Sequence, residues 1–217
     1  MPDKPLRSGW LGDLPEDFIE SFLALGSWVR VPAGGVVYGV GAKGSDLYGI
    51  ASGVARLHIA LNEHEQRLAH FCGPGFWFGD FEFDAAEDLL LLRIQRRDFV
   101  KFAGSKPDAW RWIALLVAQH AALALSAADD LMLPSAEKRL VATILRLSGR
   151  RYAHPASAPL PAIPITQQDL AVASNLSRSS AGSILRELQQ AGEISIDYGK
   201  IIIQNAEALS IRLHRSA

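Results

Sequence analysis

The sequence predicts an α+β protein in three successive parts. These are an N-terminal antiparallel β-roll of the double-stranded β-helix or jelly-roll type, one long helix, and a C-terminal winged helix-turn-helix. Three observations predict this order. Short apolar runs punctuated by glycine follow one another from Trp28 to Ile94, which reads as antiparallel strands. Asp108 to Leu133 then contains neither glycine nor proline. After Pro164, two short helical patterns lead into a hairpin signal. The expected domains are residues 1–107, 108–133 and 134–217.

Leu14-Pro15-Glu16-Asp17-Phe18, followed by Ile19, Phe22, Leu23 and Leu25, predicts a short amphipathic helix closed by Gly26. The predicted strands are Trp28–Val31, Val36–Tyr38, Leu47–Ala51, Val54–Leu61, Arg67–Phe71, Phe76–Phe78 and Leu89–Ile94, with a polar hairpin tip at Asn62–Gln66. Asp108 can cap the long helix after Pro107. Ile113, Leu116, His120, Leu123 and Ala127 recur at 3-4-3-4 spacing and predict the seam of a homodimeric coiled coil, with Ala121, Ala122, Ala124, Ala127 and Ala128 letting a partner helix approach closely; an amphipathic helix packed on its own β domain is the alternative. Pro134 ends the helix, and Ser135 can cap another running to Leu147. Four prolines between 149 and 164 mark an ordered loop or linker.

The overall charge of −1 speaks against a nucleic-acid binder until it is divided. Met1–Leu133 carries 12 basic and 17 acidic residues, whereas Pro134–Ala217 carries 10 and 6. An acidic half thus precedes a basic one with a net charge of +4. Cys72 is the single cysteine, which excludes an internal disulfide and multi-thiolate zinc or iron–sulfur sites. Met1–Pro5 has no apolar core for a signal peptide, and Gln119 and His120 interrupt the longest apolar stretches short of a membrane span. A cytoplasmic protein without membrane contact is expected.

The functional signal lies in Ile165–Leu188. Thr166 can cap a helix with Asp169 three residues on, and Asn175 suits the positive φ of a sharp turn. Ser177 then caps a second helix whose Ala181, Ile184, Leu185 and Leu188 point inward. Arg178, Ser179, Ser183, Arg186 and Gln190 are left outward. Small serines let such a helix sink into the major groove, Arg178 can fork onto guanine, and Arg186 suits a phosphate. The hairpin turning at Tyr198-Gly199 supplies a wing, with Lys200 placed for phosphate. The DNA-facing candidates are Thr166, Gln168, Ser177, Arg178, Ser179, Ser180, Ser183, Arg186 and Lys200. A helical hairpin with a merely solvated Arg178 is the competing structural explanation.

The order of these elements resembles the CRP/FNR family of bacterial transcription regulators over nearly the whole chain. The resemblance is strongest in Ile165–Ile203 and in Gly34–Gly53, which looks like the start of a cyclic-nucleotide-binding-type roll. It implies a homodimer on a two-fold symmetric operator, RNA polymerase as a further partner, and Arg178 as a guanine reader. Two other base-reading positions of the family, a glutamate and an arginine, are here Ser179 and Ser183, so an altered half-site is expected. Any switch would turn the reading heads about a Leu133-Pro134 hinge.

Phe76-Trp77-Phe78-Gly79-Asp80 stands where the resemblance places an effector pocket. No arginine or lysine lies between Gly79 and Leu92, whereas Asp80, Glu82, Asp84, Glu87 and Asp88 do. Carboxylates repel a phosphate, so cyclic AMP is not expected, and no cofactor is predicted. Iron–sulfur sensing lacks its cysteines; haem or another small ligand stays open. Metal candidates are His58, His64 and His70 with Cys72, His58 and His70 facing across their hairpin. The alternatives are a small-ligand, metal or haem sensor, or an interaction protein with weakened DNA readout. A cupin-like enzyme would need a second histidine two residues after His58, where Ala60 stands. No nucleophile elbow or phosphate-binding glycine loop appears, so no catalysis is expected.

Overall fold

The computed structural model describes residues 3–38, 46–62, 65–79, 82–151 and 157–215. His64, Asp80 and part of the proline-rich segment lie outside the described residues. The chain divides into two compact units, Met1–Ala121 with Ala156–Ala158, and Ala122–Pro155 with Pro159–Ala217.

In the first unit two 3-10 turns, Lys4–Arg7 and Gly9–Asp13, precede α1 (Glu16–Leu23). Strands β1 (Ser27–Val31), β2 (Val36–Tyr38), β3 (Leu47–Ser52), β4 (Ala55–Asn62), β5 (Glu65–Cys72), β6 (Trp77–Phe78), β7 (Glu82–Ala85) and β8 (Leu89–Ile94) follow, then α2 (Arg96–Ser105). They form two antiparallel four-stranded sheets, in the orders β1-β8-β3-β6 and β2-β7-β4-β5. This is the expected roll.

The strand absent from the sequence reading is β7, in the acidic stretch. Its Phe83 and Ala85 are fully buried while Glu82 and Asp84 alternate with them, a period-two pattern. α2 was missed as well, because only Phe99 and Ala103 of its largely polar sequence are buried. The N-terminal turns pack as a strap. Leu6, Trp10 and Leu11 are fully buried, and the Trp10 indole donates to the Trp112 carbonyl at 2.9 Å. Gly75, at φ +90°, lets this strap approach, since a Cβ there would sit 2.4 Å from the Ser8 carbonyl oxygen.

α3 (Asp108–Met132) runs across the division between the units. It has the length and composition to cross a membrane, contrary to the expectation from its interruptions, because neither Gln119 nor His120 outweighs its apolar residues. Ala109 and Leu116 pack in the first unit's core. Asp130 is fully buried in the second.

The second unit holds α4 (Ala136–Leu147), β9 (Ala162–Ile163), α5 (Gln167–Ala173), α6 (Arg178–Gln190), β10 (Ile194–Asp197), β11 (Lys200–Ile203) and α7 (Ala206–His214). α4 packs against α5, α6 and α7 through a buried face from Leu140 to Leu147. β9, inside the expected linker, completes a sheet of order β10-β11-β9 through Ile201↔Ile163. The Leu133-Pro134 step, expected as a hinge, is braced within this unit. Arg139 Nη1 donates to the Leu133 carbonyl at 2.9 Å and the Pro134 carbonyl at 3.3 Å. Beside it, Arg146 and Arg151 hold Asp130 at 2.8 and 3.1 Å.

Candidate nucleic-acid interface

The helix-turn-helix is built by local hydrogen bonds that its sequence dictates. Thr166 caps α5: its hydroxyl accepts from the Asp169 amide at 3.1 Å and donates to the Asp169 carboxylate at 2.7 Å. Asn175 takes φ +52°, the only positive φ at a non-glycine residue described, and turns the chain into α6. Ser177 caps α6 by accepting from the Ser180 amide at 3.1 Å, with the Ser179 and Ser180 hydroxyls each 2.9 Å from its own. Ala181, Leu185 and Leu188 are buried, which fixes the outward direction of the helix.

That outward face gathers most of the predicted DNA-facing residues. Arg178, Ser179, Ser180, Ser183 and Arg186 are exposed on α6, and Thr166 and Gln168 are exposed at the start of α5. Arg178 and Arg186 have no hydrogen-bond or ion-pair partner among the described residues. Arg212 shows the contrast: Glu193 and Glu137 both hold it, which raises its pKa through those hydrogen bonds. The wing turns at Gly199, φ +68°, and exposes Lys200. It also leaves Tyr198 fully exposed. The sequence reading used Tyr198 only as a turn residue; a large aromatic at a hairpin tip was the available signal.

The predicted dimer seam faces the protein itself. Leu116 is buried in the core of the first unit, with Ile113 packed against that core. The His120 ring stacks on Phe76 at 5.1 Å, and its burial lowers its pKa. Leu123 and Ala127 are half-buried on the same side. The exposed side carries a second stripe, of which the sequence singles out only Ala121 and Ala128 as points of close approach: Ala114, Ala118, Ala121, Leu125, Ala128 and Met132, at 4-3-4-3-4 spacing. Both stripes satisfy a heptad, so spacing alone does not choose between them.

The three aromatic residues expected to line an effector pocket point into three different packings. The Trp77 ring lies 5.1 Å from Phe22 and 6.0 Å from Trp10, and fills the space a side chain at Gly49 would need. Phe76 meets His120, while Phe78 stacks on Phe83 at 3.7 Å and on Tyr48 at 5.4 Å. All three are essentially inaccessible; Gly79 beside them is half-buried. The acidic residues do separate work. Asp84 pairs with Arg56 and His58, each at 2.5 Å, and Asp88 accepts from the Ala33 amide at 2.8 Å.

The expected opposition of His58 and His70 does not occur. Leu57 pairs with His70 and His58 with Leu68, so the two imidazoles occupy opposite faces of the sheet. Burial pushes the Cys72 thiol well above its usual pKa, which makes it a poor thiolate ligand. Among the described residues no three histidine, cysteine or acidic side chains cluster as a metal site.

A family model, Crp-like helix-turn-helix domain, matches residues 138–211. The cyclic AMP receptor protein of Thermus thermophilus is 25% identical over 188 residues, 82% of this chain and 84% of that protein. The nitrogen fixation regulation protein FixK of Bradyrhizobium diazoefficiens is 24% identical over 194 residues, 84% of this chain and 80% of that protein. The structure of FixK2 from Bradyrhizobium japonicum superposes with a TM-score of 0.69 at 18% identity, covering 88% of this chain and 98% of that one. Residues 138–211 thus match a Crp-like helix-turn-helix domain, and the roll, the long helix and the helix-turn-helix follow one another in the order that the resemblance to CRP/FNR-family regulators implies.

Proposed function

We propose that the protein is a cytoplasmic homodimer that binds a two-fold symmetric DNA site through α6 and does not hold a cyclic nucleotide in the manner of cyclic-AMP-binding relatives. The observation that carries DNA binding is the pair Arg178 and Arg186. Both stand exposed on the outward face of a capped second helix, in a half with a net charge of +4. An exposed guanidinium with no partner among the described residues can meet guanine or phosphate. Lys200 on the wing extends the same cationic surface.

The second copy meets the exposed stripe of α3. Leu125 and Met132 are 72% and 82% exposed, too much apolar surface for a helix with no partner. The alanines between them allow close approach, and a heptad stripe is complementary to itself across a two-fold axis. Against cyclic nucleotides stand the side chains that fill the roll. Phe78 and Phe83 stack inside it, and the Arg56 guanidinium is already engaged by Asp84.

An electrophoretic shift with the DNA upstream of the protein's own gene, at two salt concentrations, tests the reading. Binding should weaken steeply with salt, and Arg178→Ala should lose about 1–3 kcal/mol with relaxed preference at one base pair. No shift on any DNA would leave a sensor or interaction protein in its place.

A further inference from the structure

The geometry points to Arg212, on the last helix, as a positioning residue that fixes the wing relative to α6, a role resting on the DNA-binding reading above. The corner where α6 gives way to the wing is Glu193. Its amide donates to the Leu188 carbonyl in the last turn of α6 at 3.0 Å. Its carbonyl accepts from the Gln204 and Asn205 amides, just past the end of β11, at 2.9 and 3.0 Å. Asn205 in turn caps α7 by accepting from the Ala208 amide at 2.9 Å. Both carboxylate oxygens of Glu193 accept from Arg212 Nε, at 2.8 and 2.7 Å. Arg212 Nη1 donates to Glu137, in the first turn of α4, at 2.8 Å. One guanidinium therefore ties α7, α4 and the root of the wing.

The fold does not need this pair to hold α7. Leu209 and Leu213 are buried, and α7 packs on α4. Such apolar contact is non-directional and leaves a helix able to rotate or slide. Glu193 is buried as well, and a buried ion pair is commonly no more stabilising than apolar side chains of the same size. What the guanidinium adds is direction, because its planar N–H groups fit each carboxylate in one orientation. Direction matters at the wing. Asp197, where the hairpin turns, lies about 13 Å along β10 from Glu193. A rotation of about 10° at the root would carry the tip by about 2 Å, enough to break a hydrogen bond from Lys200 to a phosphate. Arg178 is placed separately, by the buried Ala181, Leu185 and Leu188 of its own helix.

The test is a double-mutant cycle between Arg212 and Lys200, read on the DNA upstream of the protein's own gene and on the melting temperature. Glu193→Gln with Arg212→Met removes the pair without leaving a buried charge, so this paired variant should melt within a few degrees of wild type. It should bind about tenfold more weakly, with the slope of log affinity against log salt reduced by about one. It should keep the base preference that Arg178→Ala loses. Lys200→Ala should cost the same in the wild type and nothing further in the paired variant. Arg212→Lys, which keeps the charge but not the planar N–H groups, should show part of the same loss. A full further loss from Lys200→Ala in the paired variant would overturn the proposal, because the wing would then be placed without Arg212. A paired variant that melts far lower, together with an Arg212→Lys protein that binds as wild type, would overturn it too, by giving the pair a structural role alone. Absence of DNA binding by the wild type would instead strike the reading on which it rests.

Discussion

The two faces of α3 share a composition and a period, yet they do opposite things. One face carries Ala109, Leu116, Ser126 and Asp130, all buried. The other carries Val117, Leu125 and Met132, between 59% and 82% exposed. Hydrophobicity does not separate them, since Leu125 is as apolar as Leu116. The polar residues do. Asp130 has Arg146 and Arg151 waiting for it and Ser126 returns its hydroxyl to Leu123, so the inner face is marked by polar groups with assigned partners. The outer face holds mostly alanine and long aliphatic side chains, the composition on which the proposed self-association rests.

The largest effect that can break this comparison is on the inner face. Asp130→Ala leaves the Arg146 guanidinium, only 5% exposed, without its carboxylate. Losing one partner of a buried pair costs about 3–5 kcal/mol, readable as a drop in the denaturant midpoint. Leu116→Ala should cost about 2–5 kcal/mol through the cavity it opens in the first unit. A similar loss from Leu125→Ala in the isolated protomer would show that the two faces are not distinct.

The outer face should respond in assembly rather than in folding. In the proposed two-fold interface, Leu125→Glu places a charge opposite its own copy. It should shift the protein from dimer to monomer by sedimentation at micromolar concentration while the circular-dichroism spectrum persists. Leu116→Ala should remain a dimer wherever it remains folded. A Leu125→Glu protein that stays dimeric would return the interface to another surface.

Much of this was legible in the sequence, and the misses have a common physical origin. Strand and helix periods, the caps at Thr166 and Ser177, and the positive φ of Asn175 are set by residues a few positions apart. They could be read because their causes are local. What could not be read depends on tertiary partners. The choice between two heptad stripes on α3 needs the core that covers one of them. The acidic stretch looked like a lining of one site. Instead Asp84 is spent on Arg56 and His58 across a strand pair, and Asp88 on the Ala33 amide, partners far away in the chain. The bulge that separates His58 from His70 is likewise a property of pairing, not of either residue.

The smallest effect comes from His120, the one titratable group on the inner face near neutral pH. Burial lowers its pKa below the ordinary 6.5, opposed in part by a hydrogen bond with the Trp77 backbone. The unfolded chain therefore takes up a proton here more readily than the folded one. The stability this histidine contributes is complete above pH 6.5 and is lost as the pH falls through that value toward the lowered folded pKa. The melting temperature should decline between pH 7.5 and 5.5, and His120→Gln should flatten that decline. Leu125→Ala should leave the slope untouched, because the outer face offers nothing there to titrate. An unchanged slope in His120→Gln would mean that the ring stacked on Phe76 takes up its proton as readily folded as unfolded, and the two faces of α3 would then differ in packing alone.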